Sequence, residues 1–165
     1  MKYFLIIIAL CVPILVFGQD YLKKKAFHRM VKSLIGHTVA EVKTEEINAE
    51  QVVWLDARDL KEHEVSKIKD ATFVGYEDFD LSRVSDVSKD ANVVVYCSVG
   101  YRSEKIAEQL QAAGYTNVSN LVGGIFDWHN QGRPVVDTDN QSTNKVHGYS
   151  KTWGIWLTEA EVVYE

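Results

Sequence analysis

The sequence is poor in cysteine, because only Cys11 and Cys97 occur among its 165 residues. So few thiols exclude a small fold held together by several disulfides. Basic residues are also scarce relative to acidic ones, and the formal net charge of −5 argues against a nucleic-acid partner. The sequence shows no internal repeats and no low-complexity region. A content of 46% hydrophobic and 25% charged residues therefore predicts one compact globular domain.

The beginning of the chain has the pattern of a signal peptide. Lys2 precedes an apolar run over 3–17, and Gly18 places a small residue at the expected cleavage site. A retained membrane anchor is the alternative, but a span needs roughly 20 apolar residues. This run is shorter and contains Pro13. We therefore expect cleavage after Gly18, export to the periplasm or the extracellular space, and no transmembrane span in the mature protein.

Cleavage would leave Cys97 as the only thiol, because Cys11 lies in the removed segment. No internal disulfide could then form. An unpaired cysteine in an exported protein is a free reactive thiol, an intermolecular link or an inert core residue. The residues around Cys97 must distinguish these alternatives.

The sequence divides into four segments with different patterns. The predicted signal peptide at 1–18 is followed by an amphipathic helix within 19–36, which ends at Gly36. A single domain is predicted over 37–136. A polar linker and an aromatic tail make up 137–165.

Within the domain, short apolar runs alternate with stretches of helical periodicity. Such alternation predicts an α/β fold with a mostly parallel sheet and helices on both faces. The run over 93–95 is apolar without alternation, which is typical of a central strand buried on both sides. The predicted strands lie at 39–42, 51–56, 71–74, 92–96 and 118–122. The predicted helices lie at 44–49, 60–68, 76–84, 102–113 and 125–130.

Cys97 follows a predicted strand and opens a short loop that leads into the helix beginning at Arg102. Ligands of such folds bind beyond the carboxyl ends of the strands, so this loop lies at the favoured edge. Gly100 allows a tight turn with inward-facing N–H groups, and a helix N-terminus stabilises negative charge. We therefore expect the loop to favour the thiolate form of Cys97. An inert cysteine in the core is the structural alternative.

The loop 97–103 closely resembles the active-site loop of rhodanese-like sulfurtransferases, in which a Cys-x-x-Gly-x-Arg-Ser pattern follows a strand. The stretch 54–58 is similar to a strand of that family that ends in Asp-x-Arg. The stretches 112–118 and 121–128 match the closing segments of the family. Together these matches extend over about 38–136.

The resemblance implies a rhodanese-like fold with a mostly parallel five-stranded sheet, and an activity of the thiosulfate sulfurtransferase type. Cys97 would take a sulfane sulfur from thiosulfate or from a small-molecule or protein persulfide, and pass it to a thiol or another thiophilic acceptor. Arg102 would be the second catalytic residue, which fixes the loop. The other loop residues would bind the substrate through the backbone, namely Ser98, Val99, Gly100, Tyr101 and Ser103.

Asp56 and Arg58 have two interpretations. They could support the pocket, or they could pair with loop backbone and with a neighbouring acid, and we favour the structural role. The implied cycle needs no cofactor. No metal is expected either, because His129 and His147 have no cysteine or second histidine at ligand spacing.

Two other functions compete with this interpretation. Cysteine phosphatases of related fold also use a cysteine, a glycine-bearing loop and an arginine, but their loop is longer. Here only four residues separate Cys97 from Arg102, and all four are neutral. The second alternative is a non-catalytic rhodanese-like module that binds a partner. The aromatic tail with Trp153 and Trp156 favours it mildly, although we expect these side chains to pack on the chain's own domain.

Overall fold

The computed structural model describes residues 20–165. The predicted signal peptide and Cys11 lie outside the described residues. Within 20–165, no helix combines the length and the apolar character that crossing a membrane requires.

A five-stranded sheet forms the centre of the fold, and all of its strand pairs are parallel. Its strands are β1 (Ala40–Val42), β2 (Val53–Asp56), β3 (Thr72–Phe73), β4 (Val93–Tyr96) and β5 (Val118–Leu121). They lie in the order β1-β5-β4-β2-β3, which places β4 in the middle. All residues of β4 are buried, as its uninterrupted apolar run predicts. The predicted parallel α/β sheet is therefore confirmed.

Helices cover both faces of this sheet. They are α1 over 20–34, α2 (Leu60–Val65), α3 (Tyr101–Ala112) and α4 (Gly124–Asn130). Successive side chains of a strand point to opposite faces. Val94 and Tyr96 accordingly join one apolar cluster with α1 and α4, whereas Val93 and Val95 join a second cluster with α3. The centre of the sheet is thus buried on both sides.

Two predicted helices are wrong. The helix predicted at 44–49 is replaced by a turn at 44–46, followed by a short 3-10 helix at Ala49–Gln51. The helix predicted at 76–84 is replaced by a 3-10 helix at Leu81–Val84. The side chains of Asn48 and Asp80 each accept a hydrogen bond from the backbone N–H two residues further on. Such local bonds compete with a continuous helix and favour a turn. The third deviation is smaller, since α2 ends before the extended backbone of Ser66.

The C-terminal segment packs onto the domain as small elements. These are β6 (Val135–Val136) paired with β7 (Ser142–Thr143), β8 (Lys145–His147) paired with β9 (Glu161–Val163), and α5 (Lys151–Gly154). Trp153 and Trp156 pack against the cluster that includes α1, as expected for packing on the chain's own domain. The ring of Trp156 lies 5.7 Å from that of Phe27 on α1.

Candidate active site

Cys97 follows β4 directly, so the central strand delivers it to the carboxyl edge of the sheet. The residue is buried, with 1% of its surface exposed. The chain then turns at Gly100, whose φ of 118° is open to glycine at little steric cost. This turn directs the N–H of Gly100 at the Cys97 Sγ, 3.1 Å away. Because α3 begins at the next residue, the positive end of that helix also faces the loop.

The start of α4 fixes the backbone of this loop. The N–H groups of Ile125 and Phe126 donate to the carbonyl oxygens of Cys97 and Ser98, at 2.9 and 3.2 Å. The contact is so close because Gly124 has no side chain. A Cβ atom at Gly124 would lie 2.2 Å from the Cys97 carbonyl oxygen. The glycine pair 123–124 therefore serves a close backbone approach.

A pocket of about 150 Å³ opens above the sulfur. It brings together most of the predicted site residues, since Cys97 and three of the predicted loop positions line it with Arg102. Three further side chains come from α1 and from the C-terminal segment. The lining residues are Leu34, Cys97, Ser98, Val99, Tyr101, Arg102, Tyr149 and Trp153. In the part of the chain that the structure describes, no group of three or more His, Cys, Asp or Glu residues is arranged to hold a metal ion.

Ser103, a predicted substrate-binding residue, is placed elsewhere. It is buried, and its hydroxyl donates to the Asn120 Oδ1 at 2.7 Å. The Asn120 Nδ2 in turn donates to the Gly100 carbonyl oxygen at 2.9 Å. Ser103 and Asn120 therefore hold the turn of the loop from below. Asn120 belongs to no motif that the sequence analysis identified, and it lies within the short strand β5.

Arg102 lines the pocket, but its guanidinium N–H groups donate to carboxylates of the protein. Its Nη1 donates to the Glu62 Oε2 at 2.7 Å and to the Asp59 Oδ1 at 3.2 Å. Its Nη2 donates to the Glu62 Oε1 at 2.9 Å and to the Ser98 Oγ at 3.0 Å. Burial would lower the pKa of Arg102, but the bonds to Glu62 and the negative charge at the loop sulfur raise it above its ordinary value. Arg102 is therefore a permanent cation that clamps the loop.

Glu62 supports the loop, although it is not among the site residues predicted from the sequence. It is fully buried on α2, accepts both terminal nitrogens of Arg102, and accepts the Ser98 hydroxyl at 2.8 Å. Burial would raise the pKa of Glu62, but the hydrogen bonds and charge of Arg102 hold it below its ordinary value. Its side chain also caps the start of α2 by accepting the Asp59 N–H. The spacing of Asp59 and Glu62 at the helix start is the signal that marks this residue.

Asp56 and Arg58 form a separate buried network, which supports the structural interpretation of this pair. Asp56 accepts the Arg58 guanidinium at 2.6 Å, the His63 ring at 2.9 Å and the Tyr96 hydroxyl at 2.9 Å. Arg58 also donates to the Ser66 carbonyl oxygen at 2.6 Å. Burial would raise the pKa of Asp56, but the charge of Arg58 and the bond from His63 hold it well below its usual range. Neither Asp56 nor Arg58 lines the pocket above the sulfur.

This network predicts loss of stability in acid. The folded-state pKa of Asp56 lies below the unfolded value, so its contribution is present above about pH 4 and is lost as the pH falls through the folded-state pKa. We expect that contribution to be about 2 kcal/mol or more. In Tyr96→Phe the carboxylate loses a donor, so acid unfolding should shift to higher pH. Urea unfolding between pH 2 and pH 7 measures both effects.

The matched control for that variant is Tyr115→Phe. Tyr115 is also buried, but its hydroxyl donates to the Val84 carbonyl oxygen, which does not titrate. Tyr115→Phe should lose about 1 kcal/mol at neutral pH. Tyr96→Phe should lose more, because the Tyr96 hydroxyl donates to a charged group and also accepts the Ile68 N–H at 3.2 Å. The loss of stability in Tyr115→Phe should be the same at every pH, whereas the loss in Tyr96→Phe should shrink as the pH falls and Asp56 becomes protonated. A loss in Tyr96→Phe that does not change with pH would contradict the assignment to Asp56.

Comparisons with known proteins agree with this geometry. A family model described as "Rhodanese-like domain" matches residues 38–131. A sulfurtransferase from Allochromatium vinosum is 36% identical over 89 residues, which cover 54% of this chain and 82% of that protein. A tRNA uridine(34) hydroxylase from Erwinia tasmaniensis is 32% identical over 109 residues, which cover 58% of this chain and 31% of that protein.

Solved structures show the same fold. A rhodanese-like domain from Anabaena superposes with a TM-score of 0.55 at 22% identity, over 61% of this chain and 80% of that one. A thiosulfate sulfurtransferase from Pseudomonas aeruginosa superposes with a TM-score of 0.56 at 23% identity, over 72% of this chain and 23% of that one. At this identity the likeness concerns the fold alone.

Proposed function

This chain belongs to the rhodanese-like domain family, and on that premise we propose that it is a sulfurtransferase that carries a sulfane sulfur on Cys97. The thiolate attacks the outer sulfur of thiosulfate or of a persulfide. The donor's S–S bond breaks as the new S–S bond forms, and its electron pair leaves with sulfite or with the donor thiolate. A thiophilic acceptor then attacks the outer sulfur of the Cys97 persulfide and restores the thiolate.

One observation carries the proposal: the Cys97 Sγ lies at the floor of an open pocket and accepts the Gly100 N–H at 3.1 Å. A hydrogen-bond donor fixed at a helix N-terminus stabilises a sulfur anion. Attack by a thiolate needs no general base once the proton has gone. The simplest chemistry for this arrangement is therefore transfer of a sulfur atom.

We propose a positioning role for Arg102. Its terminal nitrogens donate to Glu62, Asp59 and Ser98, and the sulfur is not among these acceptors. The bond to the Ser98 Oγ ties the loop to α2, so the guanidinium fixes the residue next to the nucleophile. Its charge also acts on the sulfur through space, in the direction that favours a thiolate or persulfide anion.

We do not extend the proposal to a nucleic-acid substrate. The relative named tRNA uridine(34) hydroxylase shares only a part of its length with this chain. The acidic balance of the chain, a net charge of −5, gives no attraction for a polyanion.

We also propose that the protein acts outside the cytoplasm, as the segment 1–18 suggests. N-terminal sequencing of the protein recovered from its producing cells tests this directly. A mature chain that begins at Gln19 is the expected result, and an intact Met1 in the cytoplasmic fraction would contradict it.

The activity is tested by incubating the protein with thiosulfate and cyanide, and in parallel with a generic aryl phosphate. We expect thiocyanate to form and the intact protein to gain the mass of one sulfur atom after thiosulfate alone. Arg102 is occupied by two carboxylates, so we expect no turnover of aryl phosphate. Aryl phosphate turnover without sulfur loading would establish the phosphatase alternative. Absence of both activities would favour the non-catalytic module.

A further inference from the structure

Some of the residues that line the pocket above Cys97 lie outside the segment that matches the family model. The family model covers 38–131. Leu34 lies at the end of α1, whereas Tyr149 and Trp153 lie in the C-terminal segment. None of these three side chains carries a charge. The reactive loop is therefore a family feature, but much of the surface that a donor molecule meets is contributed by flanking segments.

Arg102 is the only charged residue among the described residues that line this pocket, and its charge is already compensated. Two carboxylates, Glu62 and Asp59, accept its terminal N–H groups together with the Ser98 hydroxyl. The Tyr149 ring lies over the guanidinium at 5.0 Å. The pocket thus offers a bound donor no free cation.

Thiosulfate is a poor electrostatic match for such a pocket. It carries two negative charges, and removing a dianion from water without a cationic partner is costly. A donor in which an organic group replaces one charged oxygen keeps a single charge, which lies largely at the transferable end. That end would lie at the Cys97 Sγ, which accepts the Gly100 N–H. The organic group would then face Leu34, Tyr149 and Trp153, which line the pocket. Edge or offset contacts between aromatic rings are favourable.

We infer that this pocket selects sulfane-sulfur donors that carry one negative charge and an apolar, preferably aromatic, body. The inference rests on the proposed function, because it requires that Cys97 accept the sulfur. The chemical class includes aryl thiosulfonates and the persulfides of hydrophobic thiols. Trp153, Tyr149 and Leu34 are the specificity-determining residues.

The aromatic wall is held in place before a donor arrives. The backbone N–H of Tyr149 donates to the His147 Nδ1 at 3.0 Å, and His147 is fully buried on β8. The Tyr149 residue is still 47% exposed, so its ring remains accessible at the mouth. Trp153 lines the same pocket and packs against the core cluster. A fixed wall loses little conformational entropy on binding, which favours selection by contact.

Benzenethiosulfonate is the probe that isolates this preference. The Cys97 thiolate attacks its terminal sulfur, a new S–S bond forms, and the donor S–S bond breaks with its electron pair leaving as benzenesulfinate. The sulfur moves as a neutral atom, so no external oxidant or reductant is needed. Cyanide then takes the outer sulfur as thiocyanate and restores the thiolate.

The experiment compares kcat/KM for benzenethiosulfonate and thiosulfate with cyanide as the acceptor. Each value is divided by the uncatalysed rate of the same donor with a small thiolate, because the two donors differ in intrinsic reactivity. We expect the normalised ratio to favour the aryl donor by about tenfold or more. A ratio of one or below would overturn the inference and leave the proposed function intact. Failure of both donors to load sulfur would instead overturn the proposed function.

Variants separate a specificity role from a structural one. Trp153→Ala should lower kcat/KM for the aryl donor by roughly tenfold and for thiosulfate by less than about twofold. Trp156→Ala is the matched control, since Trp156 lies in the same segment but packs on Phe27 and does not line the pocket. It should leave the ratio unchanged. An equal loss for both donors in Trp153→Ala would overturn the assignment.

A second variant, which should gain activity, tests the inference even if Trp153→Ala does not fold. Leu34→Lys adds a cation at a partly exposed wall position. It should raise kcat/KM for thiosulfate by about fivefold, because a new unit charge attracts the dianion more strongly than the monoanion. The normalised ratio of kcat/KM for benzenethiosulfonate to that for thiosulfate should therefore fall. An unchanged ratio in Leu34→Lys would contradict the electrostatic part of the inference.

Discussion

Replacement of Cys97 by serine is expected to abolish sulfur loading and to lower thiocyanate formation by on the order of a thousandfold or more. A hydroxyl is not ionised near neutral pH, and its oxygen cannot hold a sulfane sulfur as a persulfide does. The change is small in volume and lies at the end of β4, so the fold should persist. The Gly100 N–H then faces an oxygen in place of the sulfur.

Intact-mass measurement after incubation with thiosulfate gives the primary readout. The native protein should gain one sulfur atom, which peptide mapping should place on Cys97, and the serine variant should gain none. Circular dichroism and thermal unfolding of the variant show whether the fold is retained. Sulfur bound to a folded Cys97→Ser protein would mean that another group is the carrier.

Substitution of Gly124 by alanine is expected to have the second-largest effect. The new Cβ would lie 2.2 Å from the Cys97 carbonyl oxygen and 2.7 Å from the Ser98 carbonyl carbon. Both are backbone atoms, so the loop must move as a whole. Overpacking combined with a positive φ of 55° should cost about 3 kcal/mol or more in free energy of unfolding. Sulfur loading should fall by roughly a hundredfold, because displacement of the loop misplaces the nucleophile.

Gly132→Ala is the matched control for that substitution. Gly132 has a positive φ of 75°, but a Cβ there would meet nothing within 4 Å. This variant isolates the backbone strain, which should cost about 1–2 kcal/mol, and its sulfur loading should match the native rate. Urea unfolding and the initial loading rate should be measured for both variants. If Gly124→Ala and Gly132→Ala had the same stability and the same loading rate, the close approach of α4 to the loop would not matter for sulfur loading.

The sheet could be predicted because its signals are local. Unbroken apolar runs separated by helical periodicity indicate parallel strands, and the run at 93–95 indicates the central one. The helices at 44–49 and 76–84 could not be excluded in the same way. Whether these segments form helices depends on single side chains, Asn48 and Asp80, which accept hydrogen bonds from nearby backbone N–H groups.

The loop that lines the pocket could also be located from the sequence, since its residues are contiguous and their spacing has a chemical meaning. Its support could not, because the contacts join distant parts of the chain. Ser98 meets Glu62 from α2, and the turn at Gly100 is held by Asn120 from β5. The pocket wall is the extreme case, because Leu34 and Tyr149 come from opposite ends of the described chain. Periodicity gives no information about pairings of this kind.

Burial of Cys97 also determines how an oxidising environment acts on the protein. A disulfide requires two Cα atoms within about 7 Å of each other. Cys97 is 1% exposed at the floor of a pocket of about 150 Å³, which a second folded chain cannot enter. Within residues 20–165, two folded copies therefore cannot bring their Cys97 residues close enough to form a disulfide. Small oxidants, and thiols carried on flexible molecules, can enter the pocket and reach the sulfur. The fold therefore separates the chemistry proposed for Cys97 from disulfide formation between the Cys97 residues of two copies.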